Sequence, residues 1–308
     1  MHHFQSFDVA EAAPPLGGAR LNYDTIKNWH FDDRRHTYTE KDTMLYGLGI
    51  GLGEDPVDPS QLRYIYEGAG GGELWAFPTM SVVLGYPGFW MRDPRAGIDW
   101  VRLVHGEQRL TLHAALPTQG TVLAKNRITH VIDKGADKGA LVVIERTLYD
   151  EGGQHLATLA QTSFCRGNGG FGQGDVPPAA LPAPPDRAPD RQISLRVSAR
   201  AALIYRLSAD MNPLHADPEV ARKAGFERPI LHGLCTYGMA ARAIVQAWAD
   251  GDASRLAQLD VRFSAPVYPG ETLAFDMWQE GAQIRYTARS VERNVLTLNC
   301  GVAKVTTR

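Results

Sequence analysis

The chain has 308 residues, enough for one large domain or two medium ones with a core that needs no disulfide or metal staples. Hydrophobic residues make up 44% and charged residues 21%, as in an ordinary soluble globular protein. The formal net charge of −2 excludes a clustered basic excess, so we expect no nucleic-acid partner. The three cysteines, Cys165, Cys235 and Cys300, are far apart and odd in number, which argues against a disulfide framework and indicates a reducing compartment.

Targeting signals are not evident in the sequence. Residues 1–15 lack a basic segment followed by an apolar one, so we expect no signal peptide. No run of about 18 apolar residues predicts a transmembrane helix, and Val305–Arg308 is not a peroxisomal Ser-Lys-Leu signal. We therefore expect a cytoplasmic protein with no membrane partner.

The first half of the chain shows strand patterns. Residues from Arg109 to Leu112 alternate in polarity, a turn with Pro117 and Gly120 follows, and a second strand begins after it. Runs of apolar and β-branched residues at Ile128–Ile132 and Leu141–Ile144 predict strands as well.

A segment rich in glycine and proline separates this half from the next. Residues 165–191 show no hydrophobic periodicity, and we interpret them as a linker between an N-terminal unit, residues 1–164, and a C-terminal unit, residues 192–308. Gly167–Gly172 spells GxGxxG within it. No clear strand precedes this motif and no helix follows in the prediction, so a dinucleotide site is not expected.

Residues 205–218 carry the most informative polar side chains. Asp210 and His215 stand five apart with Asn212-Pro213 between them, so they do not share a helical face. Pro213 biases Asn212 away from α geometry, which predicts an irregular loop that folds Asp210 back towards His215. An acid and an imidazole so placed can act as general base and acid on one water. Taken alone, Asp-x-Asn-Pro is more often a structural Asx turn, and the residues that follow reverse those odds.

Two helices are predicted next. Asp217 has the character of an N-cap, with Pro218 at the first helical position and Gly225 at the end. A second helix, from about Gly233 to Ala249, is apolar nearly all round, which predicts burial. Gly233 would stand at its N-terminus, where unpaired N–H groups favour negative charge and a glycine allows close approach. We predict an oxyanion site there.

The strand pattern of the first half then returns. Leu259–Leu273 again reads strand, proline-glycine turn and strand, and further strands are predicted at Ile284–Ala288 and Val295–Leu298. The turn glycines Gly120 and Gly270 are 150 positions apart, which supports an internal duplication. A buried helix followed by antiparallel strands predicts an α+β protein in which a sheet wraps a helix.

These segments together resemble one known family. YRLSADMNPLH at 205–215 and GFERPILHGLCT at 225–236 are similar to the MaoC-type, or hydratase 2, family, including the hydratase region of peroxisomal multifunctional enzyme type 2. The resemblance runs from about residue 20 to the C-terminus. It includes Met44–Gly51, Tyr64–Gly68, Val104–Gln108, Gly169–Gly172 and Pro266–Gly270.

The resemblance implies a double hotdog fold. In this family the C-terminal hotdog carries the catalytic loop, and the central helix of the N-terminal hotdog is degenerate, which opens room for long or bulky acyl chains. The sequence agrees, because Pro78-Thr79-Met80 leads into Ser81-Val82 where the repeat would place His232-Gly233. No Asp-x-Asn-Pro-x-x-His segment occurs in the first half.

The resemblance also implies an activity, the (R)-specific hydration of a trans-2-enoyl-CoA to a (3R)-3-hydroxyacyl-CoA. The family's catalytic pair falls on Asp210 and His215, with Asn212 in support and Gly233 as oxyanion donor. One departure is Ala209, which stands where a glycine usually precedes the catalytic Asp and puts the activity, not the fold, in question.

Five residues are candidates for substrate binding: His232, Tyr46, Glu67, Glu107 and Arg228. A buried carboxylate is costly unless paired, so both Glu67 and Glu107 are better explained as loop anchors. Arg228 has Arg222 and Lys223 nearby, a group that suits the diphosphate of coenzyme A or is simply solvated.

Two other functions stay open. One is a non-catalytic acyl-CoA-binding hotdog protein, and the other is an acyl-CoA thioesterase. We expect no cofactor beyond the coenzyme A that the substrate carries, and no metal, since the ten histidines show no zinc-ligand spacing. Because hotdog proteins commonly pair, we expect a homodimer.

Overall fold

The structure is a computed structural model that describes residues 20–208 and 210–307. Its strands are β1 (Arg34–Tyr38), β2 (Leu103–Leu112), β3 (Gly120–Asp133), β4 (Ala140–Tyr149), β5 (His155–Cys165), β6 (Arg191–Arg196), β7 (Leu256–Phe263), β8 (Thr272–Glu280), β9 (Gln283–Ser290) and β10 (Val295–Val305). Its α-helices are α1 (Tyr23–Lys27), α2 (Glu40–Gly49), α3 (Pro59–Leu62), α4 (Ala201–Tyr205), α5 (Pro218–Lys223) and α6 (Gly233–Trp248).

All ten strands form one sheet in the order β1-β3-β4-β5-β2-β7-β10-β9-β8-β6. The neighbouring strands are antiparallel. Read from its two outer edges towards its centre, the sheet repeats one topology, with β1 to β5 matched in turn by β6 to β10. The two halves meet where β2 pairs with β7, from Glu107 opposite Arg262 to Thr111 opposite Gln258. The predicted duplication and the predicted α+β class are confirmed.

Helix α6 covers the inner face of the C-terminal half. It begins at Gly233 as predicted, and 12 of its 16 residues are buried, because a helix that is apolar nearly all round is stable only inside a core. Beneath it the sheet presents Phe275, Met277, Tyr286 and Ala288, each at most 1% exposed. Full burial of each large apolar side chain contributes about 1.5–3 kcal/mol to stability.

The N-terminal half has no equivalent of α6 among the described residues. A single 3₁₀ turn, Pro78–Val82, stands where the helix would begin, so the predicted degeneration is confirmed. Residues 83–102 then cross the sheet as loops and three further 3₁₀ turns. The inner face of this half is therefore covered by irregular chain, which leaves space that α6 fills in the other half.

Residues 166–190 connect the two halves without a helix or strand and pack along the sheet. Leu181 is buried against Cys300 and Val302, and the Arg285 guanidinium donates to the Ala183 carbonyl at 2.9 Å. Strand β5 ends at Cys165, directly before the GxGxxG motif, so the expectation that no strand precedes the motif was wrong. No helix follows it, as predicted.

Two further expectations concern cysteines and membranes. The odd number of cysteines argued against a disulfide framework, and Cys165, Cys235 and Cys300 are all free and buried. Within the described ranges, no helix has the length and apolar character needed to cross a bilayer.

Candidate active site

The loop after α4 brings the predicted acid and histidine together. The Asn212 backbone N–H donates to Asp210 Oδ1 at 3.0 Å, and Asn212 Oδ1 caps a 3₁₀ turn, Pro213–His215, by accepting from the Leu214 N–H at 3.1 Å. These two local bonds reverse the chain and set His215 Nε2 4.0 Å from Asp210 Oδ2. The predicted proximity is confirmed. Ala209 lies outside the described residues, so its effect stays a prediction.

Helix α5 anchors the far end of this loop. Asp217 accepts from the N–H groups of Glu219 and Val220, with Pro218 at the first helical position, as predicted. At the other end Gly225 has φ +86°, a conformation that favours glycine, and the chain turns away. The loop that carries Asp210 and His215 is thus held between a capped helix and α4.

The tautomer of His215 follows from its hydrogen bonds. Its Nδ1 lies 2.8 Å from the Ile230 carbonyl oxygen, which can only accept, so Nδ1 carries the proton. In the neutral ring Nε2 is then a bare acceptor. Burial lowers the pKa of His215 below its usual 6.5, although the Asp210 charge opposes this shift, so the ring is neutral at neutral pH.

Asp210 and His215 therefore face each other as two acceptors. A carboxylate oxygen and a bare imidazole nitrogen cannot hydrogen-bond directly, and 4.0 Å is too long for such a bond. One water molecule lying about 2.8 Å from each atom would donate one hydrogen to each. Its lone pairs would then point away from the pair. The arrangement can hold one water between the two acceptors.

His232 positions this pair from behind. It is 2% exposed, its ring stacks on that of His215 with centroids 3.7 Å apart, and its Nε2–H donates to the Asp210 carbonyl oxygen at 3.0 Å. Burial, together with the neighbouring His215, lowers the pKa of His232 to about 4. A neutral His232 therefore fixes both the backbone of Asp210 and the plane of His215.

Gly233 begins α6 immediately after His232. It is exposed, and the first N–H groups of a helix have no partner within it. A Cβ built on Gly233 would lie 3.2 Å from the Phe263 ring, tighter than ordinary contact. Phe263 in turn packs edge-on against His105, with ring centroids 4.7 Å apart. The glycine keeps open a narrow approach to the helix N-terminus, where a developing negative charge is stabilised.

Asp210, His215 and His232 also form a group with ligand atoms within 4.8 Å of one another, as in a metal site. The geometry does not favour a metal. Two imidazoles that bind one ion direct their lone pairs at a single point, whereas the rings of His215 and His232 are stacked 27° from parallel. His232 Nε2 is moreover occupied by the Asp210 carbonyl.

Family models match both halves of the chain. The model of the MaoC like domain matches residues 180–299, and the model of the MFE-2 hydratase 2 N-terminal domain matches residues 36–167. The chain is 38% identical to the enoyl-CoA hydratase ChsH3 of Mycobacterium tuberculosis, over 87% of this chain and 93% of that protein. It is 36% identical to peroxisomal enoyl-CoA hydratase 2 of Arabidopsis thaliana, over 91% and 94% of the two chains.

The chain belongs to the MaoC-like hydratase 2 family. A MaoC-like dehydratase from Phytophthora capsici superposes with a TM-score of 0.82 and 33% identity, over 94% of this chain and all of that one. A Mycobacterium tuberculosis protein described as a double hotdog fold superposes with a TM-score of 0.54 at 15% identity, which supports the fold alone. The double hotdog prediction is confirmed.

The residues predicted to bind substrate, other than His232, have different surroundings in the structure. Tyr46 is fully buried and hydrogen-bonds Thr79 at 2.9 Å, so its position gives a substrate contact no support. Glu67 is exposed. Glu107 bonds Arg262 across the β2–β7 pairing at 2.8 Å, as expected of a structural anchor. Arg228 is exposed, with its guanidinium over the Tyr268 ring at 5.2 Å, and its contact with coenzyme A stays a prediction.

Sequence reasoning missed a second feature of the hydratase 2 fold, a recess over the N-terminal half of the sheet. Arg146 is one of the residues that line it. A signal for Arg146 existed. The inward positions of β4 read Val142, Ile144, Arg146 and Leu148, so a charge interrupts an apolar alternation.

Proposed function

We propose that the protein is an (R)-specific enoyl-CoA hydratase of the hydratase 2 type, a hydro-lyase that adds water reversibly to a trans-2-enoyl-CoA. The observation that carries this proposal is the pair of acceptors, Asp210 Oδ2 and neutral His215 Nε2, 4.0 Å apart beside the N-terminus of α6. The names of relatives at 36–38% identity support the same reaction.

The chemistry follows from the roles of these groups. The Asp210–His215 pair takes a proton from the bound water as its oxygen bonds to C3 of the enoyl group. The electrons of the double bond move to the thioester oxygen, whose negative charge the Gly233 N–H stabilises. A proton then passes from the pair to C2. The sum is the addition of one water, and the pair returns to its starting state.

The other predicted roles complete the proposal. Asn212 supports the acid, since its backbone N–H holds one carboxylate oxygen and leaves the other for water. His232 acts as a positioning residue, and Arg228 with its basic neighbours meets the coenzyme A diphosphate. The acyl chain extends from Gly233 towards the N-terminal half, and the product is the (3R) alcohol.

The test is loss of enoyl-thioester absorbance with purified protein, across trans-2-enoyl-CoAs from short to long and bulky, with product chirality determined. We expect turnover to the (3R)-3-hydroxyacyl-CoA. The (3S) product would overturn the stereochemical assignment. Release of free thiol would identify a thioesterase, and tight binding without turnover would identify a non-catalytic acyl-CoA-binding protein.

We propose that the reaction needs no metal or redox cofactor. Water addition transfers no electrons, and the charge that develops is met by backbone and imidazole groups. Dialysis against a strong chelator should leave kcat unchanged. A loss of activity that Zn²⁺ restores would instead make the Asp210, His215 and His232 group a metal site.

We further propose a homodimer in the cytoplasm. Light scattering of the purified protein should give twice the mass of the 33.8 kDa chain, and a monomer mass would refute the dimer. Peroxisomal forms occur among the relatives, so localisation of the tagged native protein in its own cell tests the compartment.

A further inference from the structure

The recess over the N-terminal half has a polar floor. It is formed by inward-facing side chains of neighbouring strands, with Asn126 of β3 opposite Arg146 of β4 and Gln161 of β5 opposite Gln108 of β2. Ser163 of β5 lies one step further along the same face. A pocket for a plain hydrocarbon chain would be apolar throughout, because burying polar groups without partners is unfavourable.

Arg146 is the most unusual of these residues. It is 7% exposed, its Nη1 donates to the Leu84 carbonyl, and its Nε is buried without a partner. Across the described part of the chain no carboxylate forms an ion pair with it, and no Asp or Glu lines the recess. A buried cation without an anion is strongly unfavourable, so the fold keeps here a charge that it does not itself neutralise.

Asn126, next to Arg146, also has buried polar atoms without partners. Both its amide oxygen and its amide nitrogen are buried without a hydrogen-bond partner. Arg146 Nε and the Asn126 amide nitrogen are neighbouring donors without partners, and such donors suit an oxygen-rich anion.

The recess lies near the catalytic site, since the Asp210 charge acts on Tyr86, one of the lining residues. Gly233 packs near Phe263, the Phe263 ring contacts His105, and His105 pairs across the sheet with Ser163 of the recess floor. Burial lowers the pKa of His105 to about 4, and smaller effects come from the charges of both Arg146 and Asp210. A strand rises about 3.4 Å per residue, so the row of Arg146 lies roughly 14 Å from the row of Ser163. An acyl chain that joins Gly233 to Arg146 must cover at least this span.

We propose that the recess binds a carboxylate at the far end of the acyl chain, so that the preferred substrates are enoyl-CoA esters of dicarboxylic acids. This inference rests on the proposed hydratase function and specifies its substrate class. The terminal carboxylate accepts hydrogen bonds from the Arg146 guanidinium and the Asn126 amide nitrogen. The Arg146 charge and the anion neutralise each other away from water.

The test compares two trans-2-enoyl-CoA series of matched chain lengths, one ending in a methyl group and the other in a carboxylate. At the best length, we expect kcat/KM for the carboxylated substrate to exceed that of its partner by about tenfold to a hundredfold, the effect of one or two charge-assisted hydrogen bonds. Equal or lower kcat/KM for every carboxylated substrate would overturn the inference.

Two variants tie the preference to the recess. Arg146→Met should abolish it, and Asn126→Leu should reduce it. The Asn126 side chain makes no hydrogen bond, so its replacement disturbs little else, even if loss of the Arg146–Leu84 bond destabilises the first variant. Arg127→Met is the matched control. Arg127 lies next to Asn126 on the opposite face, with its side chain 71% exposed, and the preference should persist. A preference that survives both recess variants would refute the assignment.

A binding measurement separates this inference from the hydratase proposal. Calorimetric titration with the saturated acyl-CoA pair should show tighter binding of the carboxylated ligand, and Arg146→Met should remove the difference. Tighter binding without any turnover would overturn the hydratase proposal and support the recess assignment. Turnover of the methyl-ended series with equal binding of the two ligands would do the reverse.

Discussion

The two halves of the sheet share one topology and differ in what covers them. In the C-terminal half α6 lies on an inner face of Phe275, Met277, Tyr286 and Ala288. In the N-terminal half a 3₁₀ turn and loops replace the helix, and the inner face includes Arg146 and other polar residues. In our proposal, one repeat supplies the helix N-terminus for chemistry, and the other supplies the recess for the substrate.

The largest expected effect is the loss of activity when Asp210 or His215 of the C-terminal half is replaced. Asp210→Asn and His215→Ala should each lower kcat by about 10²–10⁴-fold, because each removes an acceptor for the water that is activated. Asp210 is half-exposed, so the melting temperature of its variant should change little. The matched control is Asp137→Asn in the N-terminal half, an exposed residue whose loss should leave kcat/KM unchanged. Full activity of both catalytic variants would refute the site.

Gly233→Ala should lower kcat by about a hundredfold, as expected when an oxyanion donor becomes inaccessible. The added methyl group meets the Phe263 ring at 3.2 Å while the helix itself tolerates alanine. Ser81→Ala is the comparison in the N-terminal half, at the position where the helix is missing. It loses one bond to the Pro78 carbonyl, which should cost about 1 kcal/mol of stability and no activity. Similar kinetics for the two variants would contradict the division of roles.

The pH dependence of kcat/KM should follow the protonation of His215. Its neutral form accepts the water proton, and burial lowers its pKa below 6.5, so the neutral form persists to a lower pH than in a free histidine. We expect kcat/KM to be flat from neutral pH down to 6.5 and to fall about tenfold per unit below the shifted pKa. A profile that already declines above pH 6.5 would show that the ring is not desolvated as described.

Asn126→Leu should stabilise the N-terminal half. Removal of a buried amide without partners should raise the free energy of unfolding by about 1–3 kcal/mol, measured by urea denaturation. An unchanged or lower stability would mean that the amide is satisfied, for example by bound water. A gain in stability together with loss of the carboxylate preference would show that the recess is maintained at a cost in stability.

The smallest effect is expected where the halves meet. Glu107→Gln removes an ion pair with Arg262 that is partly exposed, so stability should fall by about 1 kcal/mol or less. KM should not change, because the side chain joins β2 to β7 instead of contacting substrate. A marked rise in KM would restore Glu107 as a substrate-binding residue.

The sequence predicted the C-terminal half better than the N-terminal half, for a physical reason. An apolar helix, a capped helix and an Asp-x-Asn-Pro loop are local features, so α6, α5 and the approach of Asp210 to His215 could be predicted. Strands β1, β5 and β6 were not identified, because their stability comes from pairing with distant strands. The recess arises from side chains on four strands and from a helix that is absent, neither of which is a local pattern.

The pairing of β2 with β7 also has a consequence for how the gene can be divided. Expressed alone, either half would expose a long unpaired edge strand at what is now the middle of the sheet. Such an edge recruits another copy, so an isolated half would self-associate or aggregate. Because both halves belong to one chain, the half without a central helix stays next to the other as a permanently tethered subunit.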